Sequence, residues 1–177
     1  MKLTFIRHTS VDVPKGTCYG QTDVPLRDTF LQEAAEVSIR LEGLTFDKVY
    51  TSPLSRCTRL ADRCGFKEAE RDNRLLELNF GDWEMQHFDD IKDPHLQAWY
   101  DDFLHVRASG GESFEDQRNR VASFLDELRR KPYQHVALFT HGGVIICAKI
   151  YAELLREEDA FQSLTPYGGC VTIEIGR

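Results

Sequence analysis

The sequence predicts an α/β domain, a three-layer sandwich with a mostly parallel central sheet flanked by helices. Two observations carry the prediction. Short apolar runs of strand length alternate with longer segments of helical periodicity, the order in which crossover helices join parallel strands. The chain has 177 residues, 41% of them hydrophobic, enough for one full core in one domain over 1–177. No internal repeat, low-complexity tract or linker divides it.

Lys2–Ile6 reads as a buried strand, with Arg7-His8-Thr9-Ser10 at its carboxyl end. Residues 11–27 hold Pro14, Gly16, Gly20 and Pro25 and read as loop. A helix is expected over Thr29–Leu41, its apolar stripe being Leu31, Ala34, Ala35, Ser38 and Leu41, with Gly43 as the stop. Asp47–Thr51 is a second strand. Ser52-Pro53 follows as an N-cap and first helical position, before a stripe of Leu54, Cys57, Ala61 and Cys64. Phe66–Glu70 is a third strand, and Leu75–Trp83 is irregular. Residues 85–106 are helical in part and broken near Pro94. Ser113 and Asp116 form a capping-box pattern ahead of a helix lined by Phe114, Val121, Phe124, Leu125 and Leu128. Pro132 closes it. His135–Thr140 is a strongly apolar strand with His141-Gly142-Gly143 at its end. A helix from Val144 to Leu155 and a strand over Val171–Ile175 complete the chain.

Composition narrows the function classes. A formal net charge of -7 argues against a nucleic-acid or anionic-membrane surface, both of which favour basic patches. It is compatible with a small phosphorylated substrate, since a pocket can be locally basic. No secretory signal and no membrane-length apolar run is visible. The five cysteines, Cys18, Cys57, Cys64, Cys147 and Cys170, are scattered and lack metal-ligand spacing. We therefore expect reduced thiols, a cytoplasmic location, and neither a metal nor a cofactor. Phosphate-loop, dinucleotide-fingerprint and serine-elbow motifs do not occur.

In open α/β sheets, ligands bind outside the carboxyl ends of strands. Arg7-His8, residues 52–56 and His141 all follow predicted strands, so they should converge on one edge. Guanidinium groups match phosphate oxygens bidentately. A neutral imidazole nitrogen can attack phosphorus and split one displacement into two steps. Two nearby arginine charges disfavour a third positive charge on that imidazole. A second, protonated histidine would stabilise the equatorial oxygens. An alkoxide leaves poorly without protonation, so the chemistry also needs an acid. From the residues alone Glu77, Glu84 and Glu112 compete for that role.

The segment Leu3–Thr9 resembles the opening of the histidine phosphatase superfamily, also called phosphoglycerate mutase-like. Residues 50–57 (YTSPLSRC), 75–84 (LLELNFGDWE), 110–113 (GGES) and 140–143 (THGG) resemble its further motifs, in order and across nearly the whole chain. The resemblance implies His8 as the phosphohistidine, Arg7, Arg56 and His141 as phosphoryl ligands, and Glu77 as proton donor and then base. It implies a phosphomonoesterase that needs no metal. Two departures stand out. Thr9 replaces the commoner Gly, and Pro14 stands where the family has Asn. Gln21 and Thr22, in the loop Cys18–Leu26, are the expected substitute donors. That loop, with the Arg-His-Thr opening and Phe80-Gly81-Asp82-Trp83-Glu84, is similar to those of alpha-ribazole-5'-phosphate phosphatases, which act in assembling the nucleotide loop of cobalamin. Residues 85–106, which hold Phe88, Trp99, Tyr100 and Phe103, are a candidate lid or side wall whose aromatics could stack on a benzimidazole-like base, with a core stripe under a helix the favoured reading for each one. The other readings are a phosphoglycerate mutase, a phosphatase for another small monoester or for protein phosphohistidine, and a silent phospho-ligand binding module.

Overall fold

A computed structural model describes residues 1–176. The strands β1 (Lys2–Arg7), β2 (Lys48–Thr51), β3 (Glu70–Arg71), β4 (His135–Thr140) and β5 (Cys170–Glu174) form one sheet in the order β3-β2-β4-β1-β5. The first four run parallel, and β5 pairs antiparallel with β1 at the edge. Both central strands are buried on both faces, which is why they read as continuous apolar runs. Side chains alternate across the pleat. Leu3, Phe5, Val136 and Leu138 face one core cluster, and Ile6, Ala137 and Phe139 face another.

Helices α1 (Phe30–Leu41) and α2 (Ser55–Arg63) cover the second face. Helices α4 (Phe114–Leu128) and α5 (Gly142–Tyr151) cover the first. The result is the three-layer sandwich expected. The α4 capping box forms in full: Asp116 N–H donates to Ser113 Oγ, and Ser113 N–H donates to the Asp116 carboxylate. A short helix, α3 (His95–Asp101), follows Pro94. It packs with Trp83, Ile91 and Cys18 into a third apolar cluster beside the sheet.

The structure corrects several expectations. The buried stripe of α1 is Phe30, Ala34, Val37 and Leu41, while Leu31 is exposed. Phe30 lies at the very start of the helix and replaces Leu31 in the 3.6-residue stripe. β3 is two residues, Glu70–Arg71, rather than Phe66–Glu70, because Phe66 packs inward against Phe139 and Phe46. Ser52 does not cap α2. The helix begins at Ser55 with Leu54 as its N-cap, and the Ser52 hydroxyl lies 2.7 Å from Nε2 of His141. A buried imidazole needs a polar partner, and Ser52 supplies it. Helix α5 starts at Gly142 and ends at Tyr151, earlier at both ends than expected.

Candidate active site

The carboxyl ends of β1, β2 and β4 bring four charged or polar residues together. β1 ends at Arg7, and His8 continues its ladder by donating its N–H to Thr140 O. His141 follows β4, and Arg56 lies in the first turn of α2 after β2. All four side chains are buried. The rings of His8 and His141 meet edge to face, their centroids 5.2 Å apart.

The geometry fixes which nitrogen of His8 is free. Nδ1 lies 2.7 Å from the Thr9 carbonyl. A carbonyl only accepts, so Nδ1 carries the proton and Nε2 keeps its lone pair. Burial, then the charge of Arg56, pushes the His8 pKa well below 6.5. Arg7 adds to this against the raising effect of the Thr9 carbonyl. His141 is pushed the same way by burial and then by Arg56. Both imidazoles are therefore neutral at pH 7, whereas the stabilising role expected of His141 needs a proton. An arriving phosphate dianion offsets the arginine charges that disfavour it.

The arginines are aimed by main-chain carbonyls. Arg56 donates from Nη1 to Thr22 O at 2.9 Å and from Nη2 to Gly20 O at 2.5 Å. Arg7 donates from Nη1 to Thr165 O at 2.5 Å. The Nε groups of both are buried with no protein partner.

A cavity of about 210 Å³ opens beside this cluster, lined by Arg7, His8 and, among others, Glu77 and Gln117. Glu77 is held from three sides. Its Oε1 accepts from Gln117 Nε2 and from Leu78 N–H, and its Oε2 accepts from Gly143 N–H at the start of α5. A Cβ on Gly143 would come within 2.3 Å of Glu77 Oε1, so the carboxylate and the helix terminus fit together only with glycine there.

The competing acids are engaged elsewhere. Glu84 accepts from the N–H groups of Gly20, Gln21, Thr22 and Phe80 and from the Thr22 hydroxyl. Burial works to raise its pKa, but the Thr22 hydroxyl and these N–H groups outweigh it and hold the carboxyl below the usual range. Glu112 is bound by Arg120 and by Asn79 N–H.

Gln21 and Thr22 fall beside the pocket, but neither side chain lines it. Thr22 Oγ1 is spent on Glu84, and Gln21 Nε2 donates to Glu77 O at 3.1 Å. A loop with so many donors folds on its own acceptor before it can reach a ligand. The apolar wall of the pocket is built from residues outside 85–106. It comes from Leu78, Phe80, Phe114, Ile146, Phe161 and Leu164. Within 85–106, Phe88, Trp99 and Phe103 pack with Trp83 and Phe80 in the third cluster. Phe103 also backs Phe114 and Phe161.

Sequence reasoning missed Gln117 and Arg120, and it placed Ser52 at the site edge only as a helix cap, without its contact to His141. Arg120 donates to the carbonyls of Arg74, Leu76 and Glu77 and so fixes the chain that carries Glu77. Gln117 had a readable signal: it is a polar side chain on the buried stripe of α4, 1% exposed.

Residues 3–176 match the profile of the histidine phosphatase superfamily (branch 1). The chain belongs to that superfamily. As a histidine phosphatase it has relatives across bacteria. It is 30% identical over 154 residues to an adenosylcobalamin/alpha-ribazole phosphatase of Escherichia coli (strain K12), covering 82% of this chain and 75% of that one. It is 26% identical over 168 residues to phosphoserine phosphatase 1 of Hydrogenobacter thermophilus, covering 88% and 79%. Among solved structures, the alpha-ribazole phosphatase from Shigella flexneri superposes with a TM-score of 0.91 at 26% identity, covering 100% of this chain and 92% of that one. The protein is thus a phosphatase with the phosphoglycerate mutase-like fold.

Among the described residues, no group of three or more His, Cys, Asp or Glu is placed to hold a metal ion. No helix among them is long and apolar enough to cross a membrane.

Proposed function

We propose that this histidine phosphatase removes phosphate from alpha-ribazole-5'-phosphate or its phosphorylated cobamide, through a phosphohistidine on His8. The observation that carries the mechanism is the tautomer of His8. With Nδ1 bound to Thr9 O, its Nε2 lone pair belongs to a cavity shared with Arg7 and Glu77.

In the first step Nε2 attacks phosphorus and the ester P–O bond breaks. Arg7, Arg56 and His141 hold the phosphoryl oxygens, and Glu77 gives its proton to the leaving alkoxide. In the second, Glu77 takes a proton from water, whose oxygen attacks phosphorus, and the P–N bond breaks to return neutral His8 and inorganic phosphate. Nothing in these steps calls for a metal.

The substrate reading rests on two supports. Relatives named for alpha-ribazole phosphate recur in sequence and in structure. The cavity wall is apolar and aromatic, suited to an alcohol bearing an aromatic base rather than to phosphoglycerate. The five unpaired thiols and the negative net charge support a cytoplasmic enzyme without nucleic-acid partners.

The test is release of inorganic phosphate from a panel holding alpha-ribazole-5'-phosphate, phosphoserine and 3-phosphoglycerate, with product isomerisation followed for the last. Alpha-ribazole-5'-phosphate should show the highest kcat/KM. An acid-labile phosphoenzyme should be trapped on wild type and be missing from His8→Ala. A His8→Ala protein as active as the parent would end the mechanism.

A further inference from the structure

Pro14 offers the phosphate pocket no side-chain donor, and Gln21 and Thr22, the expected replacements, are engaged with Glu77 O and Glu84. Two residues outside the expected set stand against Arg7, His8 and Arg56. Tyr19 comes from the loop after β1, and Tyr167 from the loop before β5. Their hydroxyl oxygens are 2.6 Å apart, so the two side chains meet across the site.

Each tyrosine sits on one of the pocket's guanidinium groups. The Tyr167 ring centroid is 4.2 Å from Cζ of Arg7 and 5.5 Å from the His8 ring. The Tyr19 ring centroid is 5.5 Å from Cζ of Arg56, and Tyr19 lines the cavity.

The same polar contacts that aim the catalytic groups hold the tyrosines in place. Gly20, next to Tyr19, gives its carbonyl to Arg56. Thr165, two residues before Tyr167, gives its carbonyl to Arg7. Gly168, the next residue, donates its N–H to His8 O and gives its carbonyl to Arg40. The backbones are pinned, so what can move is the aromatic side chain.

Chemistry then limits what the pair can do. A phenol is both donor and acceptor. The two hydroxyls satisfy each other, and a phosphoryl group offers stronger, charged acceptors in their place. Burial, then the Tyr167 hydroxyl, raises the Tyr19 pKa above its ordinary value. The hydroxyl thus stays protonated and able to donate at any working pH.

We propose that Tyr19 and Tyr167 form a clasp over the phosphoryl site, parting when substrate enters and each donating its hydroxyl to a phosphoryl oxygen. This rests on the phosphomonoesterase reading of the same site. The clasp supplies the donors that Pro14, Gln21 and Thr22 do not. Because the donors hold the phosphoryl group before and during reaction, they should act mainly on binding.

The experiment compares wild type with Tyr19→Phe, Tyr167→Phe and the double variant. Phe keeps the ring over each guanidinium and removes only the hydroxyl. Binding of inorganic phosphate is measured by titration calorimetry, and kcat and KM on a hydrolysed phosphomonoester are measured in parallel. Losing a hydrogen bond to a charged group should weaken phosphate binding and raise KM by roughly tenfold in each single variant. The double variant should be weaker than either, with kcat held within about threefold. Circular dichroism and melting temperature confirm folding, and both side chains are partly exposed. If wild type hydrolyses phosphomonoesters but all three variants bind phosphate as it does, the clasp is wrong and the active site stands. If wild type neither binds phosphate nor hydrolyses any ester, the parent reading fails instead. A fall in kcat with phosphate affinity unchanged would also overturn the clasp.

Discussion

At Gly143 a single hydrogen leaves room for the Glu77 carboxylate, which reaches the backbone N–H at the start of α5. Gly143→Ala would push that carboxylate aside, since the new Cβ would lie 2.3 Å from Oε1. Displacement of a catalytic group by about 1 Å costs on the order of 100-fold, so kcat/KM should drop by about that factor. The fold should not suffer, because alanine is a better helix former than glycine. Steady-state kinetics and a melting curve on one sample would separate the two effects, and unchanged kinetics would remove Glu77 from the mechanism. Gln117→Leu strips one of the two donors to Oε1 and leaves the Leu78 N–H. A drop in kcat of roughly tenfold is expected with KM nearly constant, as for a group that acts in the transition state. The motifs displayed Arg7, His8, Arg56, Glu77 and His141. They did not display Gln117 or Arg120, and they held Ser52 without showing its contact to His141, because such contacts form only once distant segments have packed.

Single elements show which local signals survive folding. The capping box of α4 was readable from Ser113 and Asp116 because its partners lie within one turn. Ser113→Ala should cost ~1 kcal/mol of stability, measured by denaturant titration with the m-value unchanged. Ser52 had an equally plain N-cap signal before Pro53, and the structure spends its hydroxyl on His141 instead. Local propensity lost to the need of a buried imidazole for a partner. The loop from Cys18 to Leu26 follows the same rule. Glu84 gathers four backbone N–H groups and one hydroxyl, and Arg56 is oriented by the carbonyls of Gly20 and Thr22 in that loop. Glu84→Ala should therefore impair a site it does not touch. Weaker phosphate binding with lower thermal stability is expected, and a variant that binds phosphate normally would show that the loop holds itself.

Across the whole molecule, the two buried imidazoles tie stability to pH. Both His8 and His141 have folded pKa values well below 6.5. Below pH 6.5 the unfolded chain takes up protons that the folded chain refuses, so unfolding free energy falls as pH falls. The slope approaches ~1.4 kcal/mol per pH unit for each group. His135 contributes in the same direction. Carboxylates with lowered pKa, such as Glu84 and Glu33, add their loss only at more acid pH. Denaturant melts between pH 6.5 and 5 should show the decline, and His141→Gln should flatten it. A flat wild-type profile would mean that the imidazoles titrate alike in both states.

The amino-acid order alone was enough for the layered α/β architecture, for the superfamily, and for the expectation that Arg7, His8, Arg56, Glu77 and His141 share one site. Those are carried by short motifs and by hydrophobic periodicity, which are local properties. The residue types alone left three acids open, and the packed chain shows Glu77 facing the cavity. Glu77, Glu84 and Glu112 are alike as residues and differ only in the donors that distant segments bring to them. Tertiary packing also decided where the aromatics of 85–106 go, because they pack on Trp83 before they can reach the pocket. The Arg7-His8 pair was legible from the first strand. That two tyrosines from opposite ends of the chain, 148 residues apart, meet above it was not, because only the pairing of β1 with β5 brings those ends together.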